Sequence, residues 1–219
     1  MIMSEVMTCM SFGQLMNWVL EEKRTKGTVF GQHRAYVADK SMEIFGRNLE
    51  TPIGPAAGPH TQLTQNIVAS YYAGARFFEL KTVQKMDGAE LAACINRPCI
   101  LAEDEGYNCE WSTELYVPEA MGEYIKAWFI LHVIAKEFDL GAQDGFQFNL
   151  SVGYDLAGIK EPKVDTFINS MMEAKDTEIF KECKQWLLDH VDEFEKFTKE
   201  DIEAIPSNIC NSATNSTLH

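Results

Sequence analysis

The sequence has little that would tie it to metal clusters, membranes or nucleic acid. None of its six cysteines (Cys9, Cys94, Cys99, Cys109, Cys183, Cys210) forms a CxxC pair. That argues against zinc or ferredoxin spacing and, in a chain of 219 residues, against a disulfide scaffold. No metal ligand set is expected. No run of about 18 apolar residues occurs, so no membrane span is expected. Basic residues are scarce, 19 Lys and Arg against 33 Asp and Glu, for a net charge of −14. Without basic patches, nucleic acid and anionic membrane surfaces are poor partners. Met1 to Met10 is apolar, but it carries Glu5 and no basic leading region, so it does not read as a secretory signal. The expected setting is the reducing cytoplasm.

What is present is an ordinary globular composition, 46% hydrophobic and 24% charged, in a chain long enough to bury a sizeable core. Ser11-Phe12-Gly13-Gln14 has capping-box spacing, which predicts a helix from there to about Arg24, stopping before Gly27. Residues 41–49 alternate and turn at Gly46, which reads as a short hairpin. Residues 1–50 thus form an N-terminal helix and hairpin extension.

From Thr51 the pattern changes. Ile53 starts a first buried strand, cut short by Gly54, Pro55 and Gly58. Thr61 is a candidate N-cap for a helix ending at Ala73-Gly74, and the strand Phe77–Leu80 follows. Strand, helix, strand with short links is a βαβ unit with parallel strands. A long irregular stretch, 87–108, has the length of a functional lid. Pro118 opens a helix to about Phe138, with Met121, Ile125, Trp128, Phe129 and His132 on one side. His132 there reads as a packed or surface histidine. A strand at 146–150, helices at 162–174 and 178–190, a helical piece at 199–205 and a strand-like run at 208–211 complete the chain. The alternation predicts an α/β fold with a parallel sheet. A complete (β/α)8 barrel takes about 250 residues. Residues 51–219 therefore read as an incomplete barrel of about four strands, its first half, with apolar sheet edges uncovered.

Ligands of parallel α/β folds lie at the carboxyl ends of the strands. Lys81-Thr82, Asn149 with Ser151, and Asn211-Ser212 fall there by pattern, and Asn108 lies in the long loop. A lysine at a strand end calls for an anionic partner. Either a ligand that develops negative charge or an ion pair with Glu79, Glu103 or Asp104 meets that need. The loop Gly54-Pro55-Ala56-Ala57-Gly58 is neither a P-loop nor GxGxxG; it is a tight turn, or a close backbone approach to a ligand. The helix after it is expected to aim its N-terminus at an anion in the mouth. No nucleophile is coupled to a base at a readable spacing.

Several long motifs occur in order: Gly54 to Leu63; residues 77–85; residues 102–108; Asn149 to Leu156; and Asn208 to Ser212. Together they resemble the amino-terminal part of the "putative selenate reductase subunit" family. Residues 49–58, followed by Phe78-Glu79-Leu80-Lys81-Thr82, resemble the flavin barrel of the dihydroorotate and dihydropyrimidine dehydrogenases. The resemblance implies a large iron–sulfur flavoprotein oxidoreductase that passes electrons from NAD(P)H through flavin to a small-molecule substrate. FMN would lie in this barrel; FAD, NAD(P)H and 4Fe–4S sites would lie outside this chain. It further implies backbone contacts from Ala56, Ala57 and Gly58, ring contacts from Lys81 and Thr82, further contacts from Asn149 and Asn211, and a substrate contact from Asn108. The expected partners are the remainder of the parent chain or other redox subunits, and this stretch alone is expected to be inactive.

The departures are equally specific. The dehydrogenases' Asn-Leu-Ser-Cys-Pro motif is absent: Asn149-Leu150-Ser151 runs into Val152, and Asn211-Ser212 into Ala213. No catalytic acid or base is therefore carried over. The resemblance places the FMN phosphate site late in the barrel. The alternative is a non-catalytic barrel scaffold for subunit interaction in a multi-subunit redox complex.

Overall fold

The structure is a computed structural model and describes residues 8–83, 115–152 and 156–215. Helix α1 (Phe12–Lys26) begins as its capping box predicts. The Ser11 hydroxyl accepts from Gln14 N, and the Gln14 side chain accepts from Ser11 N at 3.0 Å. The helix runs two residues past Arg24 and ends on Gly27, whose φ of 71° is left-handed. The antiparallel hairpin β1 (Met42–Ile44) and β2 (Arg47–Leu49) turns through Phe45 and Gly46, both at positive φ.

Three parallel strands follow: β3 (Phe77–Glu79), β4 (Gln147–Val152) and β5 (Cys210–Asn215). They lie in sequence order, β3 beside β4 and β4 beside β5. A bridge between Val83 and Val152 extends the first pairing. Residues 53–55 run along the free side of β3. Ile53 O accepts from Arg76 N (2.9 Å) and Phe77 N (3.2 Å), and Pro55 O accepts from Glu79 N (3.2 Å). The chain lies so close that a Cβ on Gly54 would fall 1.5 Å from Phe77 O. This corrects the expectation of a regular buried strand at Ile53. Pro52 and Pro55 have no N–H to give, so the bonds run one way, and Ile53 is 70% exposed.

Helix α2 (Thr64–Tyr72) links the first two parallel segments, and α3 (Val117–Glu137) precedes β4. Helices α4 (Leu156–Ile159), α5 (Pro162–Met172), α6 (Glu178–Asp189) and α7 (Lys199–Ala204) lie between β4 and β5. Parallel segments added in sequence order, with helices between them, are barrel order. A doubly wound sheet instead reverses direction at a switch point. The fold is thus α/β, the leading part of a (β/α)8 barrel.

The core lies between the sheet and its helices. Phe78 and Phe148 meet at 5.4 Å, and Phe148 meets Trp128 of α3 at 5.4 Å. Strand alternation turns Gln147 and Asn149 to the opposite face. There Gln147 Nε2 donates to the carbonyls of Ile44, Arg47 and Asn48 (2.9, 3.0 and 3.3 Å), seating the hairpin at the amino end of β4. Helix α3 is not amphipathic in the way expected: every residue from Glu123 to Ala135 is buried. It is enclosed by α2, α5 and α6, and Trp128 packs it onto Phe148 of the sheet. His132 is packed, 3% exposed, between Trp128 and Phe146.

Candidate functional site at the strand ends

The loop leaving residues 53–55 closes on itself before α2 begins. Thr61 is the latch: its N and Oγ1 donate to Gly58 O (2.9 and 3.0 Å), and its Oγ1 accepts from Gly58 N (3.2 Å). This corrects the N-cap expectation. The Thr61 hydroxyl is spent on Gly58, residues 59–61 form a 3-10 turn, and α2 starts from Leu63, which makes no side-chain cap. Gly58 is buried, and a Cβ there would meet the exposed His60 ring at 2.6 Å, so the ring would have to swing aside. Ala56 is exposed and Ala57 half-buried.

Beside this loop stands the end of β3. Lys81 is 1% exposed and Thr82 6%. Lys81 N reaches Thr61 O at 3.5 Å, and Leu80 N donates to Asn149 O at 3.0 Å. Backbone bonds therefore join the loop, Lys81 and Asn149 into one wall. Asn149 is 5% exposed; its Nδ2 donates to Phe78 O at 3.2 Å, and its Oδ1 has no hydrogen-bond partner among the described residues. A buried acceptor without a donor costs about 1–3 kcal/mol, so this atom is suited to an N–H or O–H brought by a ligand. Of the remaining expected site residues, Asn108 lies outside the described residues, as do Glu103 and Asp104. Asn211 lies in β5, but its side chain is outside them too.

One expectation is overturned. The N-terminus of α2 does not face a ligand. The Glu123 carboxylate fills it, accepting from Thr64 N at 2.7 Å and Thr64 Oγ1 at 2.8 Å while pairing with Lys126. An internal carboxylate already meets the preference for an anion there. Sequence reading also missed Tyr124, whose hydroxyl donates to Lys81 O at 2.9 Å, and Gln62, whose Oε1 accepts from Leu115 N at 3.0 Å. The available signal was Glu123 and Lys126, the two charges within the otherwise uncharged stretch 120–135 of that helix.

Among the described residues no group of acidic, histidine or cysteine side chains has the arrangement to hold a metal ion. No helix among them is long and apolar enough to cross a membrane. A groove between α1 and the end of α3, lined by Lys23, Arg24, Glu137 and Glu193 among others, lies by the amino ends of the strands. That is the end away from the chemistry of barrel folds.

A partial barrel with a polar wall at its carboxyl ends is a framework that many enzyme chemistries share. The chain belongs to the family described as oxidoreductase YgfK, N-terminal TIM-barrel domain, matched over residues 30–219. It is 42% identical over 235 residues to the protein named "Putative oxidoreductase YgfK" of Escherichia coli strain K12, and equally to that of Escherichia coli O157:H7. The alignments take in 99% of this chain and 22% of each relative, so the chain spans about a fifth of the length of the curated relatives it matches. No solved structure matches it.

Proposed function

We propose that residues 51–219 form the leading half of an FMN-binding barrel, and residues 1–50 its extension, in a flavin-dependent oxidoreductase of the selenate reductase subunit type. The observation that carries this reading is the open acceptor Asn149 Oδ1, buried in the same strand-end wall as Lys81 and beside the Gly58–Thr61 loop. These residues suit a flat ring with N–H donors and a developing negative charge. The backbone at Ala56, Ala57 and Gly58 would hold one edge of the flavin. Lys81 and Thr82 would lie against the ring, Asn149 would accept from it, and Asn211 and Asn108 would add contacts to flavin and substrate. Bound flavin would supply hydride or electron transfer. Lys81 would favour its reduced, more negative form electrostatically, and the low exposure of Lys81 and Asn149 would keep water from that interaction. The remainder of the parent chain, or partner redox subunits, would carry FAD, NAD(P)H and 4Fe–4S sites and deliver electrons to the barrel.

A second reading is a non-catalytic scaffold for subunit interaction in a redox complex. It draws on Glu123, which fills the helix N-terminus nearest the mouth. Purified full-length polypeptide separates the two. Flavin absorbance, FMN released on denaturation, and at least tenfold weaker FMN binding in Lys81→Ala support the oxidoreductase. A folded full-length protein that stays colourless after FMN is added overturns it.

A further inference from the structure

We propose that Glu123 and Tyr124 are positioning residues: from adjacent places on α3 they hold the two halves of the strand-end wall at a fixed separation. The flavin reading above says what would lie against that wall; the geometry stands without it. Neighbouring helix residues point about 100° apart, so two consecutive side chains reach two different elements. Glu123 bonds Thr64, the first residue of α2, at 2.7 and 2.8 Å. It thereby ties down the chain that leaves the Gly58–Thr61 latch. Tyr124 bonds Lys81 O at 2.9 Å.

The direct link between the halves is long. Lys81 N to Thr61 O is 3.5 Å, against an ordinary N–H···O length of about 2.9–3.0 Å. A bond so long sets no spacing, whereas the shorter bonds from α3 do. Packing alone would be served as well by apolar side chains, because buried polar groups are costly unless bonded. What Glu123 and Tyr124 add is direction. Lys126 neutralises Glu123 and also donates to Met10 O at 2.5 Å, securing the carboxylate from behind. Burial holds the Tyr124 phenol well above its usual pKa, so it stays a donor across neutral pH. The ring itself packs edge-on against Phe167.

The test is amide hydrogen exchange and flavin redox titration on the full-length protein, comparing Tyr124→Phe, Glu123→Gln and the milder Thr64→Val. Tyr71→Phe is the matched control: it is a buried tyrosine whose hydroxyl has no partner among the described residues. We expect exchange at Lys81 and Thr82 to rise at least tenfold in Tyr124→Phe. In Glu123→Gln, and to a lesser degree in Thr64→Val, the rise should fall at Thr61 and Thr64; Tyr71→Phe should change neither. With FMN bound, Tyr124→Phe should make the flavin harder to reduce, because its cation is less firmly placed. Glu123→Gln should weaken FMN binding and leave the potential where it was. Exchange in Tyr124→Phe and Glu123→Gln indistinguishable from Tyr71→Phe overturns the proposal. If the wild-type protein takes up no FMN, the flavin reading falls alone, and the exchange pattern still decides this one.

Discussion

Glu50 Oε2 accepts from Arg76 Nε at 2.7 Å, with the two side chains 5% and 0% exposed. The other Glu50 oxygen accepts from Ala142 N at 2.6 Å. The guanidinium donates to the carbonyls of Tyr71, Ala75 and Leu140 and lies 3.8 Å from the Tyr71 ring centroid. Gly141 and Gly145 make room for the carboxylate, since a Cβ on either would come within 2.4 Å of it. The pair gathers the residues that lead into segment 53–55, β3 and β4. It therefore clamps the amino ends of the sheet, opposite the candidate site.

Replacing Arg76 by Met leaves a buried carboxylate without its counter-ion. Breaking such a pair from one side costs about 3–5 kcal/mol. Urea unfolding of Arg76→Met should show a loss in that range. A loss below about 1 kcal/mol, the size of an exposed pair, would mean the clamp does not hold the sheet.

Gly54→Ala tests the contact between residues 53–55 and β3. The new methyl would sit 1.5 Å from Phe77 O, a backbone atom that cannot swing away. Overpacking of flexible side chains costs about 1–3 kcal/mol, and this substitution should reach or exceed that range. Gly46→Ala is the comparison: open space surrounds it, but its φ is 74°. It should lose only about 1 kcal/mol, the strain of a left-handed alanine. Equal losses in the two would show that segment 53–55 is not pressed against β3.

These contacts separate what the sequence reveals from what it hides. Local rules suffice for the Ser11–Gln14 box, the Gly27 stop and the turn at Gly46, because each depends on residues a few positions apart; the parallel strands follow instead from the alternation of strands and helices along the chain. The Thr61 hydroxyl had two local uses, capping α2 or latching Gly58, and spacing does not choose between them. Glu123 reaches Thr64 from 59 residues away, and Glu50 is 26 residues from Arg76. Both are fixed only once the sheet forms. The one-sided expectation for α3 failed because a helix enclosed on several sides has no polar stripe to reveal its orientation. The position of Lys81, Thr82 and Asn149 at one end of the sheet is legible in the sequence, because each falls at or just past the carboxyl end of a predicted parallel strand.

His132 predicts an acid-side loss of stability. Burial pushes its pKa down from 6.5 to about 3. Between those values the unfolded chain binds a proton that the folded protein does not. The stability is therefore whole above pH 6.5 and is lost as pH falls toward 3, at up to about 1.4 kcal/mol per pH unit. His132→Phe should flatten the fall in stability between pH 6.5 and 4 by that slope. Parallel curves for the two proteins would remove His132 from the acid response.

Gln147→Met should free the hairpin. The change removes the donor to three backbone carbonyls of residues 44–48 and should cost about 2 kcal/mol, within the range for losing a buried hydrogen-bond partner. Amide exchange should accelerate across 42–49 before the sheet opens. Uniform acceleration through β3 and β4 would show that the hairpin is held by other contacts.

The enclosure of α3 also has a consequence during synthesis. Its last buried residue is Ala135, but α6, which covers one side of it, ends at Asp189. Roughly fifty residues must be added before that cover exists, which at about 5–20 residues per second takes some three to ten seconds on the ribosome. Through that interval the growing chain carries its most apolar helix without that cover. That makes α3 the segment of this family on which a co-translational chaperone would be expected to act.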